Sequence, residues 1–232
     1  MNNANIRAPI VAVFGSKKFV SHARSIGEQV SNADAILLTG GDGVDDGSVK
    51  NAAIKGAKAA GGRWIGVHRH AYNDGSRDPS LKEEKAGLIL EPGLGHRRNY
   101  LEACLCDVAI ALKGGKGTVS EIFACVSLKK PVILVAWDDH IEPDFCWLIA
   151  EEYSPKIEAL DEKIKVLALT GLREETIVRL PAETPAGEIV TAALARVGME
   201  RPGRFPAFFG ERFRPLSDAF EAFTTQRTAK LP

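Results

Sequence analysis

The sequence carries no excess of charge of either sign. Thirty Lys and Arg residues balance thirty Asp and Glu over 232 residues, so the formal net charge is zero. Without a global basic field there is no general drive onto duplex DNA or an anionic membrane surface, and neither is an expected partner. No apolar run approaches the roughly 18 residues of a membrane helix, and Met1 to Arg7 hold no apolar stretch of the kind a secretion signal needs. A cytoplasmic protein is expected. Cysteine is scarce: Cys104, Cys106, Cys125 and Cys146, each in apolar surroundings, read as reduced structural thiols. Cys104-Leu105-Cys106 makes no metal half-site, because a helix turns residues two apart to different faces and no second Cys/His pair stands nearby at zinc spacing. No metal site and no resident cofactor is expected. No serine stands in a nucleophile-elbow context, and there is no internal repeat or low-complexity tract.

What is present is an ordinary globular composition, 45% hydrophobic and 26% charged, in a rhythm of strands and helices. Pro9–Phe14 is a continuous apolar run ended by Gly15-Ser16, as in a strand buried on both faces. Phe19, Ala23, Ile26 and Val30 have helical spacing. Ala35–Thr39 is a second strand. Val49, Ala52, Ala53, Gly56, Ala57 and Ala60 mark an Ala-rich helix stopped by Gly61-Gly62. Strands follow at Arg63–Val67, Gly87–Glu91, Asp107–Leu112 and Pro131–Val135, with helices at Arg98–Cys106 and Thr118–Leu128. His68–Leu81, with Asn73-Asp74-Gly75 and Asp78-Pro79, reads as a loop. This alternation predicts a doubly wound, mainly parallel Rossmann-like α/β sheet with helices on both faces. Beyond Asp138 the rhythm weakens. Thr184 reads as an N-cap before Pro185, opening a helix to about Val197. Residues 1–200 read as one Rossmann-like domain and 201–232 as a C-terminal arm, packed on the body or on a partner subunit, or partly disordered. Its interleaved Arg and Phe residues, Arg204 to Arg214, suit an apolar interface better than base stacking.

Ligands of an open parallel sheet bind beyond the carboxyl ends of its strands. Three strand ends are glycine-marked: Gly15-Ser16, Gly40-Gly41 and Gly114-Gly115-Lys116-Gly117-Thr118. Glycine lets a ligand approach the backbone, and the N-terminus of a following helix suits a phosphate. A phosphate-bearing small molecule is therefore the expected partner. The third loop is neither a Walker A motif nor a full dinucleotide fingerprint. Two readings of it stand: Thr118 and Glu121 form a capping box, or the amides and Thr118 hold phosphate while Glu121 faces the ligand as an acid/base or electrostatic group. His68, Arg69 and His70 at the third strand's end, Asp45 and Asp46 after the second glycine loop, and Asp138, Asp139 and His140 after Trp137 are further residues on the ligand side.

Arg98-Asn99-Tyr100-Leu101-Glu102-Ala103, Cys106–Leu112 and Gly114-Gly115-Lys116-Gly117-Thr118-Val119-Ser120-Glu121 together resemble the Lonely Guy (LOG) family, once labelled "lysine decarboxylase-like", within the wider SLOG nucleotide-binding superfamily. The family pattern is an Arg-Lys pair, a Ser-Asp-Ala strand and Pro-Gly-Gly-x-Gly-Thr-x-x-Glu. Phe14-Gly15-Ser16 and Gly40-Gly41 resemble its first and second glycine loops, and the likeness spans residues 9 to 136. The resemblance implies a homodimer or higher oligomer with a nucleoside 5′-monophosphate at the sheet edge. In catalytic members water cleaves the N-glycosidic bond, releasing base and ribose 5-phosphate. By position, Arg98 and Glu121 would be the catalytic pair, and Gly115, Gly117 and Thr118 the phosphate cradle. Two departures, Lys113 for the proline and Asn99 for the lysine, resemble a neighbouring branch that includes molybdenum-cofactor carrier proteins. Such a carrier would use the same cradle without turnover. The sequence thus leaves two functions, a phosphoribohydrolase or a non-catalytic carrier or sensor.

Overall fold

The computed structural model describes residues 7–41, 47–68, 79–84, 86–137, 177–198, 203–206 and 210–225, with the backbone alone at His96 and Lys116. Asp45, Asp46, Arg69, His70, Asp138, Asp139, His140 and Cys146 lie outside the described residues. Eight strands form one sheet: β1 (Ile10–Phe14), β2 (Ile36–Thr39), β3 (Trp64–Val67), β4 (Ser80–Glu84), β5 (Gly87–Glu91), β6 (Val108–Leu112), β7 (Val132–Val135) and β8 (Ile177–Leu180). Their order is β4-β5-β3-β2-β1-β6-β7-β8. Only β4 runs antiparallel to its neighbour. The described helices are α1 (Val20–Asn32), α2 (Val49–Ala59), α3 (Arg98–Leu105), α4 (Lys116–Ser127), α5 (Ala186–Leu194) and α6 (Arg214–Thr225).

The expected doubly wound sheet is what forms, and its central strand explains why. All five residues of β1 are buried, and they divide by parity as a pleated strand requires. Ile10, Ala12 and Phe14 join a core with Leu101, Ile122 and Phe220. Val11 and Val13 join the opposite core with Ile26, Ala53 and Ile189. From β1 the chain winds outward to β2, β3 and β5, then returns to the other side of β1 as β6. Phe14 lies in register with Ala111, so the loops leaving β1 and β6 stand side by side. This reversal of winding is the crevice where such folds take ligands.

Close packing of α1 on α2 holds one face. The added methyl of an alanine at Gly27 would overlap the Ala53 carbonyl oxygen, and one at Gly56 the Arg24 carbonyl oxygen. Helix α2 stops as its glycines predict. Gly61 takes φ +69°, Gly62 N donates to Ala57 O and Gly61 N to Lys58 O, which is the Schellman pattern. Helices α1 and α4 end in the same way on Asp34 and Lys129, both at positive φ.

The structure corrects the sequence reading in three places. The loop expected to run to Leu81 gives way at Ser80 to strand β4, which lies at the sheet edge and is mostly exposed. A strand of one apolar and several charged residues gives almost no hydrophobic signal, though those charges are what protects an open edge. Helix α4 begins at Lys116, two residues before Thr118, because Gly115 is its N-cap. Helix α5 begins at Ala186 with Pro185 as cap, not Thr184.

The described part of the C-terminal stretch packs on its own sheet. In α6, Leu216 and Phe220 are fully buried in the same core as Leu88 and Leu90 of β5, and Arg63 Nη1 donates to Phe223 O at 2.9 Å. At the opposite end of the sheet from the crevice, Asp107 ties two distant segments to β6 with three hydrogen bonds. It accepts from Gly203 N (2.6 Å), Ile10 N (2.7 Å) and Arg7 Nη2 (2.5 Å).

Gly56→Ala is expected to lower unfolding stability by about 2 kcal/mol or more, since helix backbones must separate. Gly61→Ala should cost about 1 kcal/mol through its left-handed backbone alone. Urea denaturation of the two variants, compared by midpoint, checks the order; equal losses would contradict the helix contact.

Candidate functional site

The three glycine loops do converge at the crevice, but their glycines play different parts. At Gly15 an added Cβ would lie 2.8 Å from Val49 Cγ1, and Ser16 O accepts from Val49 N at 2.8 Å. This pair thus docks the start of α2. Gly40 leaves room for charged side chains: a Cβ there would overlap Arg98 Nη1 and lie 2.7 Å from Glu102 Oε1 and 2.8 Å from Lys50 Nζ. At Gly41 it would press on Ile54 Cδ1 at 2.9 Å. Gly114 is covered by the Thr118 side chain. Gly115 and Gly117 alone among these are exposed, with nothing within 4 Å of an added Cβ. They form the first turn of α4, whose leading N–H groups precede its first intrahelical hydrogen bonds.

Thr118 therefore does not cap the helix. Its N–H bonds to Gly115 O at 2.9 Å, and at 4% exposure its side chain lies under the loop. The capping-box reading fails with it, because Glu121 is committed elsewhere.

Beneath the loops four charges gather, Arg98, Glu102 and Glu121 buried and Lys50 partly so. Lys50 Nζ, in the first turn of α2, lies 2.7 Å from Glu121 Oε1 of α4. Arg98 Nη1, opening α3, donates to Gly40 O (2.7 Å) and Val67 O (2.6 Å) and lies 3.3 Å from Glu102 Oε1 one turn on. Arg98 thus ties α3 to the carboxyl ends of β2 and β3. Burial pulls the Lys50 ammonium's pKa down, but the Glu121 and Glu102 carboxylates outweigh it and leave it raised above 10.5. A raised lysine pKa adds stability that is fully present below its unfolded value, about 10.4, and is lost only as pH rises through the folded value. The cluster is therefore intact across the neutral range. Asn99 Nδ2 donates to Ser120 Oγ at 3.2 Å, joining α3 to α4 beside it.

Around this floor, Lys17 and Lys18 are exposed on the loop after β1, and Lys113 is half-buried before Gly114. Lys116 is placed by its backbone in the first turn of α4. His68 ends β3 with Nδ1 3.7 Å from Glu91 Oε1, a carboxylate that also accepts from Ser80 Oγ and Lys82 Nζ. Trp137 spends its indole N–H on Ala111 O at 2.8 Å. Sequence reasoning named Arg98 and Glu121 but missed their partners Glu102 and Lys50. One signal for Lys50 was available: a lysine in the first turn opposes the helix dipole and so calls for a nearby anion.

The described cysteines lie behind the site. Burial, then the neighbouring Cys106, pushes Cys104 up to about 12. A hydrogen bond with Cys106, then burial, raises Cys125. Such thiols stay protonated and unreactive at neutral pH.

An eight-stranded doubly wound sheet with a glycine turn at its winding reversal defines a Rossmann-like α/β protein. The model of the SLOG cluster4 family matches residues 8–168, and the chain belongs to that family. Among solved structures it is similar to the molybdenum cofactor carrier protein of Chlamydomonas reinhardtii, with 26% identity and a TM-score of 0.54 over 82% of this chain and 99% of that one. The molybdenum cofactor binding protein of Rippkaea orientalis shares the fold at 23% identity and a TM-score of 0.55, over 82% and 97%. An uncharacterized protein of Archaeoglobus fulgidus is 30% identical over 119 residues, 48% of this chain and 72% of that one. Among the described residues no helix is long and apolar enough to cross a membrane.

Gly40→Ala should destabilise the fold, because it drives a methyl into the charge cluster, whereas Gly115→Ala should leave the melting temperature within about a degree of wild type. In a Cys104→Ala/Cys146→Ala background, a thiol reagent at about pH 8 should react with the buried Cys106 and Cys125 far more slowly than in denaturant; rapid labelling of the native protein would contradict their burial.

Proposed function

We propose that this chain binds a phosphate-bearing small molecule over Gly115 and Gly117 and carries or senses it without turning it over. One observation carries the reading. The open glycines present a helix N-terminus at the winding reversal, while the would-be catalytic pair is engaged internally, Arg98 on two backbone carbonyls and Glu121 on Lys50. Backbone amides and the helix dipole favour a phosphate there, and Lys17, Lys18 and Lys113 place positive charge near it. At 6% exposure Arg98 shows little surface to a substrate phosphate. The described roles of the Chlamydomonas and Rippkaea relatives make molybdenum cofactor a first candidate cargo, with a nucleoside monophosphate the second. Assembly into a homodimer or higher oligomer belongs to the same proposal, on the strength of the family resemblance.

The second reading is the LOG-like phosphoribohydrolase. It is favoured by Glu121 Oε2, a buried carboxylate oxygen with no hydrogen-bond partner among the described residues, which is a place to orient water against a glycosidic carbon. Its oxocarbenium-like transition state would also gain from a nearby negative charge.

A thermal-shift and product assay against nucleoside monophosphates, dinucleotides and molybdopterin separates the two. The carrier reading expects stabilisation by one ligand, about 2.7 kcal/mol at a hundredfold excess over Kd, no released base, and loss of the shift in Gly117→Val. Free base formed by wild type and abolished in Glu121→Gln would replace it with the hydrolase.

A further inference from the structure

Lys50 is a charged group of the crevice to which the family resemblance assigns no part. It stands in the first turn of α2, against the helix dipole, with its ammonium 2.7 Å from Glu121 Oε1. Glu121 is 1% exposed, and its second oxygen, Oε2, has no hydrogen-bond partner among the described residues. Burying such an acceptor unmatched is costly, unless something that visits the crevice completes it.

Among the described residues, the charged and titratable groups facing this pair are few. Glu102 and Arg98 reach Lys50 from α3, and Cys125 lies one turn beyond Glu121 on α4. Two cations and two carboxylates sum to zero. The floor of the crevice is thus electrically neutral, and the attraction for a phosphate comes from the exposed turn of α4 and the lysines around it.

We propose that Lys50 is a positioning residue for the ligand: it fixes the Glu121 carboxylate by Oε1, so that Oε2 takes a hydrogen bond from an N–H or O–H group of the same molecule whose phosphate rests over Gly115 and Gly117. The inference builds on the binding reading above. It narrows the ligand class to a phosphate monoester with a donor group, such as a sugar hydroxyl or a ring N–H, directed inward. A molecule with a second anion at that end meets the bare carboxylate oxygen and is rejected. The raised pKa of Lys50 agrees with this arrangement, since its ammonium stays charged across the neutral range.

The two halves of the pair can be tested without any ligand. In Lys50→Met a carboxylate is left buried without its cation, so the folded state takes up a proton more readily than the unfolded one. The melting temperature should then climb as pH is lowered from about 8 to about 5.5. In Glu121→Gln the ammonium loses its nearest carboxylate and keeps only Glu102, the folded state sheds its proton more readily, and the melting temperature should climb as pH is raised over the same span. Lys50→Arg and the double variant Lys50→Met/Glu121→Gln should each follow the wild-type profile. A Lys50→Met protein that folds at about pH 5.5 and not at about pH 8 is the same result in stronger form. Parallel profiles for the two single variants, or failure of the double variant to fold at either pH, overturn the pairing.

The ligand half uses adenosine 5′-monophosphate and its 2′,3′-dideoxy analogue, titrated by calorimetry. Wild type should bind the hydroxylated nucleotide roughly tenfold more tightly or better. That preference should vanish in Lys50→Met and return in Lys50→Arg. Mirror-image pH profiles with equal affinity for both nucleotides overturn the ligand half alone. Mirror-image profiles with neither nucleotide bound count against a nucleotide as the ligand and leave Lys50's hold on Glu121 established.

Discussion

Four charges gathered beneath the glycine loops are the constraint around which the ligand edge is organised. None can be left uncompensated, because a lone buried ion costs several kcal/mol even after relaxation. Each therefore fixes the position of the element that bears its partner. Lys50 joins α2 to α4, and Arg98 joins α3 to the ends of β2 and β3. Gly40 sits between them, and its missing side chain is the space they occupy. The turn at Gly115 inherits its position from this arrangement, since α4 is held at Glu121.

Two surfaces of opposite character result. The lower layer, from Arg98 to Glu121, is neutral and largely buried; it holds the helices in place and leaves Glu121 Oε2 without a hydrogen bond among the described residues. The upper layer, Gly115 and Gly117, is open and made of backbone alone. A motif that looks in sequence like one functional unit, glycines followed by threonine and glutamate, is thus divided between two tasks. The division is what weighs the assignment toward binding: the groups with chemical power lie in the lower layer.

Most of the fold was legible because parallel strands buried on both faces announce themselves as unbroken apolar runs, as in Pro9–Phe14 and Pro131–Val135. Helix α2 was equally clear, from alanines at helical spacing and a glycine stop. What escaped was everything whose role is set by distant partners. Strand β4 is a row of charges that is a strand only because β5 lies beside it. Strand β8 and helix α6 gave no usable rhythm, and α6 depends for burial on Leu88 and Leu90, far away in sequence. Arg98 and Glu121 were found by motif; Lys50 and Glu102 were not, since ion pairing across helices leaves no local pattern beyond the misplaced charge at the start of α2. The start of α4 was misjudged because a glycine cap with no side-chain hydrogen bond gives less signal than a threonine.

The docking of α6 has a consequence for how the chain is made. Strand β5 is synthesised long before α6, and the face carrying Leu88 and Leu90 has no other described helix to shelter it from the side where Leu216 and Phe220 settle. Until the ribosome has added α6, that face lacks this cover, and β4 offers it only a charged margin. The nascent protein therefore passes through a stage in which the place of α6 on β5 is unfilled, a condition in which chaperone capture or self-association competes with folding. In this chain the final seal is applied late, by a helix that has no part in the crevice.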